Sequence, residues 1–568
     1  MPPVFRRMAW GRFYFAAVAL LFAVLMALGV WRHRSTVPHW DMWGAYLGFY
    51  TRVGQDWHAW WGQDNEHRLI LGRLLFWTDL RLFHGSMTLL YALNAAFPLL
   101  IVACFVFLLR RLQPWPSASG AWRTALVALL VVLMTSWWQN ENFTWAFQGL
   151  FWLAYLLPLL AFTLLAHARA TGRSSSFWLA CLAGVASAAA MANGTLALPL
   201  LVVQALLLRL RWRDVGVLLL LAALTLVSYR SGYRQIFPAP DRSSWPDIVR
   251  YVLLFLGAPW YFLLQKLAWW PAMVAGAAWM ALALVSAVRV LRQRPVQPYA
   301  VALLMLLAYI GAAGLGAAYN RISLGVGQAL SSRYFTPQVM AWAAMLLLAV
   351  HLWPRVLTSR WALGGYALIP LLLLPVQLEG IKVPRDFLIQ LRLPALAVQL
   401  DVRDFETDAF KRMTFTGEDT FALAEQARRE HLAVFGEPDM QLALRHWAGA
   451  ALAPMPQARC AGALQAVEAI PGVTDAVRVR GWLYDPARQR APSLVLLTHA
   501  TVGSRGAALG GLRRSDITQP VDRSERYSGF SGYLQTPAPA SGDAAQQVTL
   551  TGLIDQQPVC ALTLDLRP

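Results

Sequence analysis

The sequence predicts a mainly α, polytopic transmembrane helix bundle of about eleven spans, followed by an extracytoplasmic α+β region that ends in a small β-sandwich. Three observations carry this. The 568 residues are 57% hydrophobic and only 14% charged, where a soluble domain carries roughly a quarter charged residues. Up to about residue 380, apolar runs of roughly 15 to 22 residues alternate with short basic joints, the length that crosses the hydrocarbon of a bilayer. Beyond that point the pattern turns to charged helical spacing and then to short strand-like runs.

Taken in order, the first run, 13–30, follows Arg6, Arg7 and Arg12. No small-x-small cleavage site follows it, and further spans do, so it reads as a retained signal anchor rather than a cleaved peptide. Further basic joints lie at 110–123, 167–173, 209–213, 289–294 and 355–360, and the positive-inside rule places all of them in the cytoplasm. The formal net charge of +19 is therefore a topology signal, and no nucleic-acid partner is expected. Outer loops follow at 32–86, 138–147, 191–195, 229–248 and 319–334, with a last span near 362–377. The reading is a multi-pass protein of the bacterial inner membrane, with a cytoplasmic N-terminus and a periplasmic C-terminal domain. Residues 248–289 contain two apolar segments broken by Lys266 and "WWP". Two crossings there would put 289–294 on the wrong side, so 248–265 reads as a re-entrant or interfacial helix and 270–289 as the span. The domains expected are a transmembrane domain at 1–380, an extracytoplasmic helical segment at 381–455 and a β-sandwich-like domain at 456–568. Cys460 and Cys560 bracket the last of these, as a disulfide or as two buried thiols. Cys104 and Cys181 lie in spans and read as packing residues.

The acids before residue 379, Asp214 excepted, fall on the expected outer side. In the first outer loop, "WDMW" sets Asp41 between Trp40 and Trp43 where the first span ends, with both tryptophans read as interface anchors. Further on, "DNEHR" gathers Glu66, His67 and Arg68; the plain alternative is a solvated helix face. The second outer loop, "WWQNENFTWAFQ", surrounds Glu141 with Asn142 and other amides. Amides hydrogen-bond sugar hydroxyls, and aromatic rings offer a sugar an apolar face. An acid near lipid is costly and points to function; the alternative is a span end in water. In the fifth loop, "YNRISLGVGQALSSRYFTP", Arg321 and Arg333 stand on the side that usually lacks basic residues, with Tyr334 beside Arg333. A guanidinium there fits a phosphate, or snorkels at a helix end. Arg230, Arg234 and Arg242 are further candidates. No Walker motif, dinucleotide loop, HExxH pair or GxSxG elbow occurs.

With these residues in place, the layout over about 10–380 resembles the GT-C superfamily of bacterial polytopic glycosyltransferases. Asp41 in "PHWDMW" matches the acid that follows the first span, and "NEHR", "QNENFTWAFQ" and "SSRY" are similar to segments of such membrane proteins. "GWLYDP" at 481–486 resembles carbohydrate-associated β modules. The resemblance implies transfer of a sugar from a polyprenyl-phosphate donor, delivered from membrane lipid, to a glycan, lipid or protein acceptor of the envelope. It implies Asp41 as general base, Arg333 with Arg321 on the donor phosphate, and Glu66, His67, Arg68, Glu141, Asn142 and Tyr334 in substrate binding. Asp41 is followed by Met42, so the paired acids of some members are not formed. No cofactor is fixed by this, and a divalent metal stays open through Glu141. The alternatives are a non-enzymatic transporter or flippase, or a polymerase, of lipid-linked saccharides.

Overall fold

The computed structural model describes residues 3–112, 120–236, 244–264, 267–383, 385–415, 417, 419–450, 456–499, 503–514, 516, 524–536 and 546–566. Lys266, Asp241 and Arg242 lie outside them. The chain divides into two compact units. The first comprises Met1–Arg34, Trp60–Leu75 and Leu90–Lys382; the second comprises Ser35–Ala59, Phe76–Leu89 and Val383–Pro568.

In chain order the helices are α1 (Pro3–His33), α2 (Phe49–Val53), α3 (Ile70–Phe83), α4 (Thr88–Arg111), α5 (Gly120–Met134), α6 (Asn140–Thr144), α7 (Gly149–Thr171), α8 (Ser174–Ala188), α9 (Ala197–Leu207), α10 (Trp212–Arg230), α11 (Trp245–Leu263), α12 (Trp270–Arg292), α13 (Pro298–Arg321), α14 (Phe335–Leu352), α15 (Pro354–Leu357) and α16 (Arg360–Glu379). They continue with α17 (Arg385–Leu400), α18 (Asp408–Met413), α19 (Asp419–Arg429) and α20 (Pro438–Trp447). The strands β1 (Ala461–Ile470), β2 (Val473–Tyr484), β3 (Leu494–His499), β4 (Arg505–Leu512), β5 (Gly529–Gln535), β6 (Gln546–Ile554) and β7 (Gln557–Leu566) complete the chain.

Sequence signals set the helix ends. α7 stops at Gly172, whose φ of 73° is the left-handed C-terminal geometry that glycine adopts at no steric cost. The Ser359 hydroxyl caps α16 by accepting from the Ala362 N–H. Among the described residues nine helical stretches are long and apolar enough to cross a membrane, within α1, α4, α5–α6, α7, α10, α12, α13, α14 and α16. The expected eleven thus separate into these nine and two shorter apolar helices, Ser174–Ala188 and Ala192–Leu207. The short pair meets in a tight hairpin: a Cβ on Gly194 would lie 1.8 Å from the Ser187 carbonyl oxygen. α7, α13 and α14 are the most buried of the nine, and α10, α12 and α16 among the least. The segment read as re-entrant or interfacial is α11, whose buried face includes Tyr251, Leu254, Phe255 and Ala258. It lies flush on α12, since a Cβ on Gly257 would meet the Ala272 carbonyl at 1.7 Å.

Several buried polar side chains in this unit bond to neighbouring backbone, which an apolar surrounding favours. Gln377 of α16 donates to the Phe22 and Thr135 carbonyls and accepts from the Trp137 N–H. The Tyr309 hydroxyl donates to the Ala154 carbonyl, and Gln204 to that of Phe162.

In the second unit the β region is one antiparallel sheet, ordered β1-β2-β5-β4-β3-β6-β7, and not the expected sandwich of two sheets. Its ends curl together into a half-barrel. Arg459 bridges Ala561 in parallel, the Cys460 N–H donates to the Ala561 carbonyl at 3.0 Å, and Cys460 is disulfide-bonded to Cys560. The concave core holds Val479, Leu483, Val495, Leu497, Phe530, Leu534 and Leu550. On β3, Leu494, Val495, Leu496 and Leu497 are all buried, so both faces are covered. Helices α17 and α20 pack on this part of the sheet. They supply the second layer that another sheet would have supplied.

Candidate functional site

Within the first unit, two carboxylate–arginine pairs form around the connection between α13 and α14. α13 ends at Arg321, three short 3-10 turns follow, and α14 begins at Phe335. Arg321 and Arg333 therefore flank one compact linker.

Glu141 sits on the single-turn α6. Its Oε2 accepts hydrogen bonds from Ser332 Oγ at 3.0 Å and Ser331 Oγ at 3.4 Å. Arg333 Nη1 lies 3.7 Å from Oε1, with both side chains about one-fifth exposed. An amide network holds the two segments together. Asn142 Nδ2 donates to the Arg333 carbonyl at 3.0 Å and to Thr336 Oγ1 at 2.7 Å. Thr336 then donates to Gln139 Oε1 at 2.6 Å, and Gln139 Nε2 to the Met134 carbonyl. Gln139, Asn142 and Thr336 are buried. The network orders the backbone of 139–142 and 333–336 and leaves the Glu141 and Arg333 heads at the edge.

The second pair comes from the turn 64–67. Asp64 and His67 exchange backbone hydrogen bonds of 2.8 and 2.9 Å, and Asn65 takes the left-handed conformation (φ 48°) that its side chain tolerates. The turn aims Glu66 inward, where Oε2 accepts from Arg321 Nη2 at 3.1 Å. Glu66 is 5% exposed, and its Oε1 has no hydrogen-bond partner among the described residues. His67 Nδ1 accepts from the Ala192 N–H at 3.3 Å, so the neutral ring carries its proton on Nε2, which faces Glu66 Oε2 at 3.9 Å. Burial, with the nearby Arg321 guanidinium, holds the His67 pKa down to about 4.

Arg68 has a different job. Its guanidinium donates to the carbonyls of Tyr229 (2.9 Å), Trp61 (2.5 Å) and Ser231. Nε and both terminal nitrogens each serve a carbonyl, which makes Arg68 a strut between the 61–69 loop and the end of α10. Arg234 is fixed on this loop by its backbone, to Gln63.

Tyr251 of α11 was not singled out in the sequence, because it is one aromatic residue in a segment read as a re-entrant or interfacial helix. Its hydroxyl is buried with no hydrogen-bond partner among the described residues, in the electrostatic field of Tyr334, Arg333 and Arg321. Tyr334 in turn stacks edge-on with Phe255 and carries the Arg333 guanidinium 5.6 Å from its ring centroid. Arg321, Arg333, Tyr251 and Tyr334 thus form one basic, aromatic group. It offers two guanidinium forks to an anion, and acceptors on Glu66, Glu141 and Asn142 to hydroxyls. Asn142 Oδ1 is buried with no hydrogen-bond partner among the described residues. Among them no cluster of three His, Cys, Asp or Glu side chains could hold a metal ion, so the Glu141 environment of two serines and an arginine does not fit one.

Asp41 belongs to the second unit. It follows Trp40, whose φ is 50°, and its carbonyl accepts from the Ala45 N–H at 2.8 Å, starting a π-helical turn at Trp43–Gly48. Asp41 is half-buried. Of the flanking tryptophans expected as lipid anchors, Trp43 belongs to the protein core and Trp40 is half-buried. Trp43 is fully buried against Phe435, and Trp40 stacks between His39 and Phe415. Aromatic rings beside an acid look the same in sequence whether a protein core or a lipid interface receives them.

The same unit holds an acid that sequence reading passed over. Asp79 is fully buried on α3, accepting from Tyr46 Oη at 2.7 Å and the Met87 N–H at 3.2 Å. Burial raises its pKa to about 6. The signal was present: Phe76, Asp79 and Leu80 stand at i, i+3 and i+4, which puts the acid on the inward stripe. No protein-family model matches the chain, and no curated protein matches it.

Proposed function

We propose that the protein is an integral membrane glycosyltransferase that moves a sugar from a polyprenyl-phosphate donor to an envelope glycan, lipid or protein acceptor. The observation that carries this reading is the grouping of Arg321 and Arg333 with Glu66, Glu141, Tyr251 and Tyr334 in the helical unit. Two arginines, each already beside a carboxylate, suit an anion that arrives and leaves. The donor phosphate would take the guanidinium forks, displacing them from Glu141 and in part from Glu66. The freed carboxylate oxygens and the Asn142 carbonyl would accept from sugar hydroxyls.

In the transfer step the acceptor oxygen bonds to the anomeric carbon as the bond from that carbon to the phosphate oxygen breaks. The electron pair leaves with the phosphate, whose added charge Arg333 and Arg321 stabilise. The acceptor proton goes to a carboxylate, the role that the sequence resemblance gives to Asp41, a residue of the second unit. A transporter or flippase should place ionisable pairs deep within its spans. The buried polar groups described inside these helices are amides and hydroxyls such as Gln204, Thr163 and Ser286, which favours the transferase.

The test is sugar transfer by purified protein in liposomes containing polyprenyl-phosphate sugars. Arg333→Gln and Asp41→Asn should each lower the rate at least ~100-fold while leaving insertion intact. An active Asp41→Asn enzyme removes the base assignment. An active Arg333→Gln enzyme removes the phosphate site. Movement of a lipid-linked saccharide across the bilayer without any transfer would replace the reading with that of a flippase.

A further inference from the structure

At another place in the first unit, the chain builds a basic cavity that the proposed transfer does not use. It has a volume of about 660 Å³ and is bordered by the end of α7, the start of α8 and the α9–α10 turn. Five arginines line it, Arg169, Arg173, Arg209, Arg211 and Arg213, against one carboxylate, Asp214. Among the described residues, two of the five guanidinium groups have partners. Arg169 Nε donates to the Leu208 carbonyl at 3.0 Å, and Arg213 Nε stands 3.7 Å from Asp214 Oδ1. All five are exposed.

Two features of the backbone add to the positive charge at this cavity. First, α8 and α10 both begin at this cavity with an arginine in the capping position, Arg173 and Arg211, and neither has a side-chain cap. Both helices therefore present first-turn N–H groups and the positive end of the helix dipole to the same space. Second, Arg209 holds a φ of 53° in the turn after α9. Its N–H bonds the Leu206 carbonyl, and the Leu210 N–H that of Ala205. Glycine or asparagine usually fills such a position. A bulky arginine there accepts backbone strain and adds one more cation to the cavity.

The surroundings define what kind of anion. Phe177, Trp178 and Val217 form the apolar part of the wall. Beside it, Leu179 and Leu182 of α8 and Leu219 and Leu220 of α10 are exposed. Trp178, 57% exposed, lines the cavity, and Trp212, 80% exposed, stands between Arg211 and Arg213 at the start of α10. A cationic cup beside an apolar flank, with exposed tryptophans next to its arginines, matches a molecule with a phosphate head and acyl chains. We propose that this cavity is a binding site for the phosphate headgroup of an anionic membrane phospholipid. The proposal rests on the membrane reading of the apolar helices, but not on glycosyl transfer.

The test uses the full chain in detergent, titrated with phosphatidylglycerol and followed by native mass spectrometry. Each arginine near an anionic headgroup contributes about five-fold to affinity. The triple substitution Arg173→Gln, Arg211→Gln and Arg213→Gln should therefore weaken binding about 100-fold, and Arg355→Gln, outside the cavity, should leave it unchanged. If the triple variant does not fold, the single variants should each show about a five-fold loss. A second readout is quenching by brominated phosphatidylglycerol, part of which should vanish in Trp178→Phe. Unchanged binding in the arginine variants overturns the proposal. So does equal binding of phosphatidylcholine, or competition by inorganic phosphate as effective as that by the lipid. Extraction of the protein from membranes by alkaline carbonate would instead overturn the membrane reading on which the proposal stands.

Discussion

Two acid–arginine pairs, one in each unit, use the same side-chain chemistry to opposite ends. In the second unit Arg478 grips Asp404 through two parallel bonds of 2.8 and 2.7 Å, and Tyr533 Oη adds a third at 3.0 Å. The Asp404 side chain is fully buried, and Arg478 also reaches Glu468 at 3.3 Å. This pair is saturated and ties the segment before α18 to β2 and β5. In the first unit Arg333 stands 3.7 Å from Glu141, whose other oxygen takes only serine hydroxyls. A saturated pair has nothing left to offer a ligand. A loose pair at a partly solvated edge keeps both its charge and its directional capacity. The degree of satisfaction, more than the presence of charge, separates strut from site, and it also moves Arg68 from the candidate list to the struts.

The comparison can first be sharpened where the second unit is most tightly tied. The disulfide closes a separation of 100 residues. In the chain-entropy account its loss costs about 4.7 kcal/mol. The Cys460→Ser/Cys560→Ser variant should therefore show early loss of amide protection in β1 and β7 by hydrogen exchange. The helices of the first unit should keep theirs. Next, Asp404→Ala leaves Arg478 and Tyr533 facing a buried void, and removing one partner of such a pair costs about 3–5 kcal/mol. A change below about 1 kcal/mol in chemical denaturation would show that the clamp is no strut.

Acid and base titration then distinguish the units by the sign of their pH dependence. Asp79, in the second unit, has its pKa raised by burial to about 6, against about 3.9 in the unfolded chain. The folded state holds that proton more tightly, so the contribution is present below pH ~4 and is lost as pH rises through 6. It amounts to about 3 kcal/mol. Asp79→Asn should remove this loss and raise stability at neutral pH, read as melting temperature against pH. His67, in the first unit, runs the other way. Its pKa is lowered by burial, and by Arg321, to about 4, against about 6.5 unfolded. Its contribution is present above pH ~6.5 and is lost as pH falls through 4. Its size is at most about 3 kcal/mol, reduced by the 22% of the side chain that solvent reaches. His67→Gln should flatten that acid limb. Equal slopes in both variants would erase the contrast.

Much of the bundle was legible because membrane crossing is a one-dimensional property. Run length and the position of arginines are local, and α4, α7, α12, α13, α14 and α16 follow from them. The half-barrel was legible only as strands. Alternation in "AVRVRGWLYD" identifies β2, but nothing local says whether helices or a second sheet will cover "LVLL" of β3. The site shows the same limit. Glu66 and Arg321, 255 residues apart, were each visible as a charge in an apolar chain. Their pairing depends on how the 64–67 turn and the end of α13 fold, which no periodicity encodes. Tyr251 was missed because a tyrosine on an apolar helix carries no signal until the charged groups around its buried hydroxyl are known.

The smallest stability effect is the most informative for function. Glu141→Gln keeps the acceptor for Ser331 and Ser332 and removes only the charge facing Arg333. For a partly exposed pair at 3.7 Å, the expected change is between 0 and about 1 kcal/mol, against about 3–5 for Asp404→Ala. Thermal unfolding of the two variants in the same detergent measures the difference. If Glu141→Gln unfolds the helical unit as readily as Asp404→Ala unfolds its own, then Glu141 and Arg333 are a strut. The phosphate site would then have to be sought without them. If stability is kept while binding of a polyprenyl-phosphate sugar changes, the loose geometry is a property of the site, because a fold that needed this pair for its own cohesion would have closed the gap between Arg333 and Glu141.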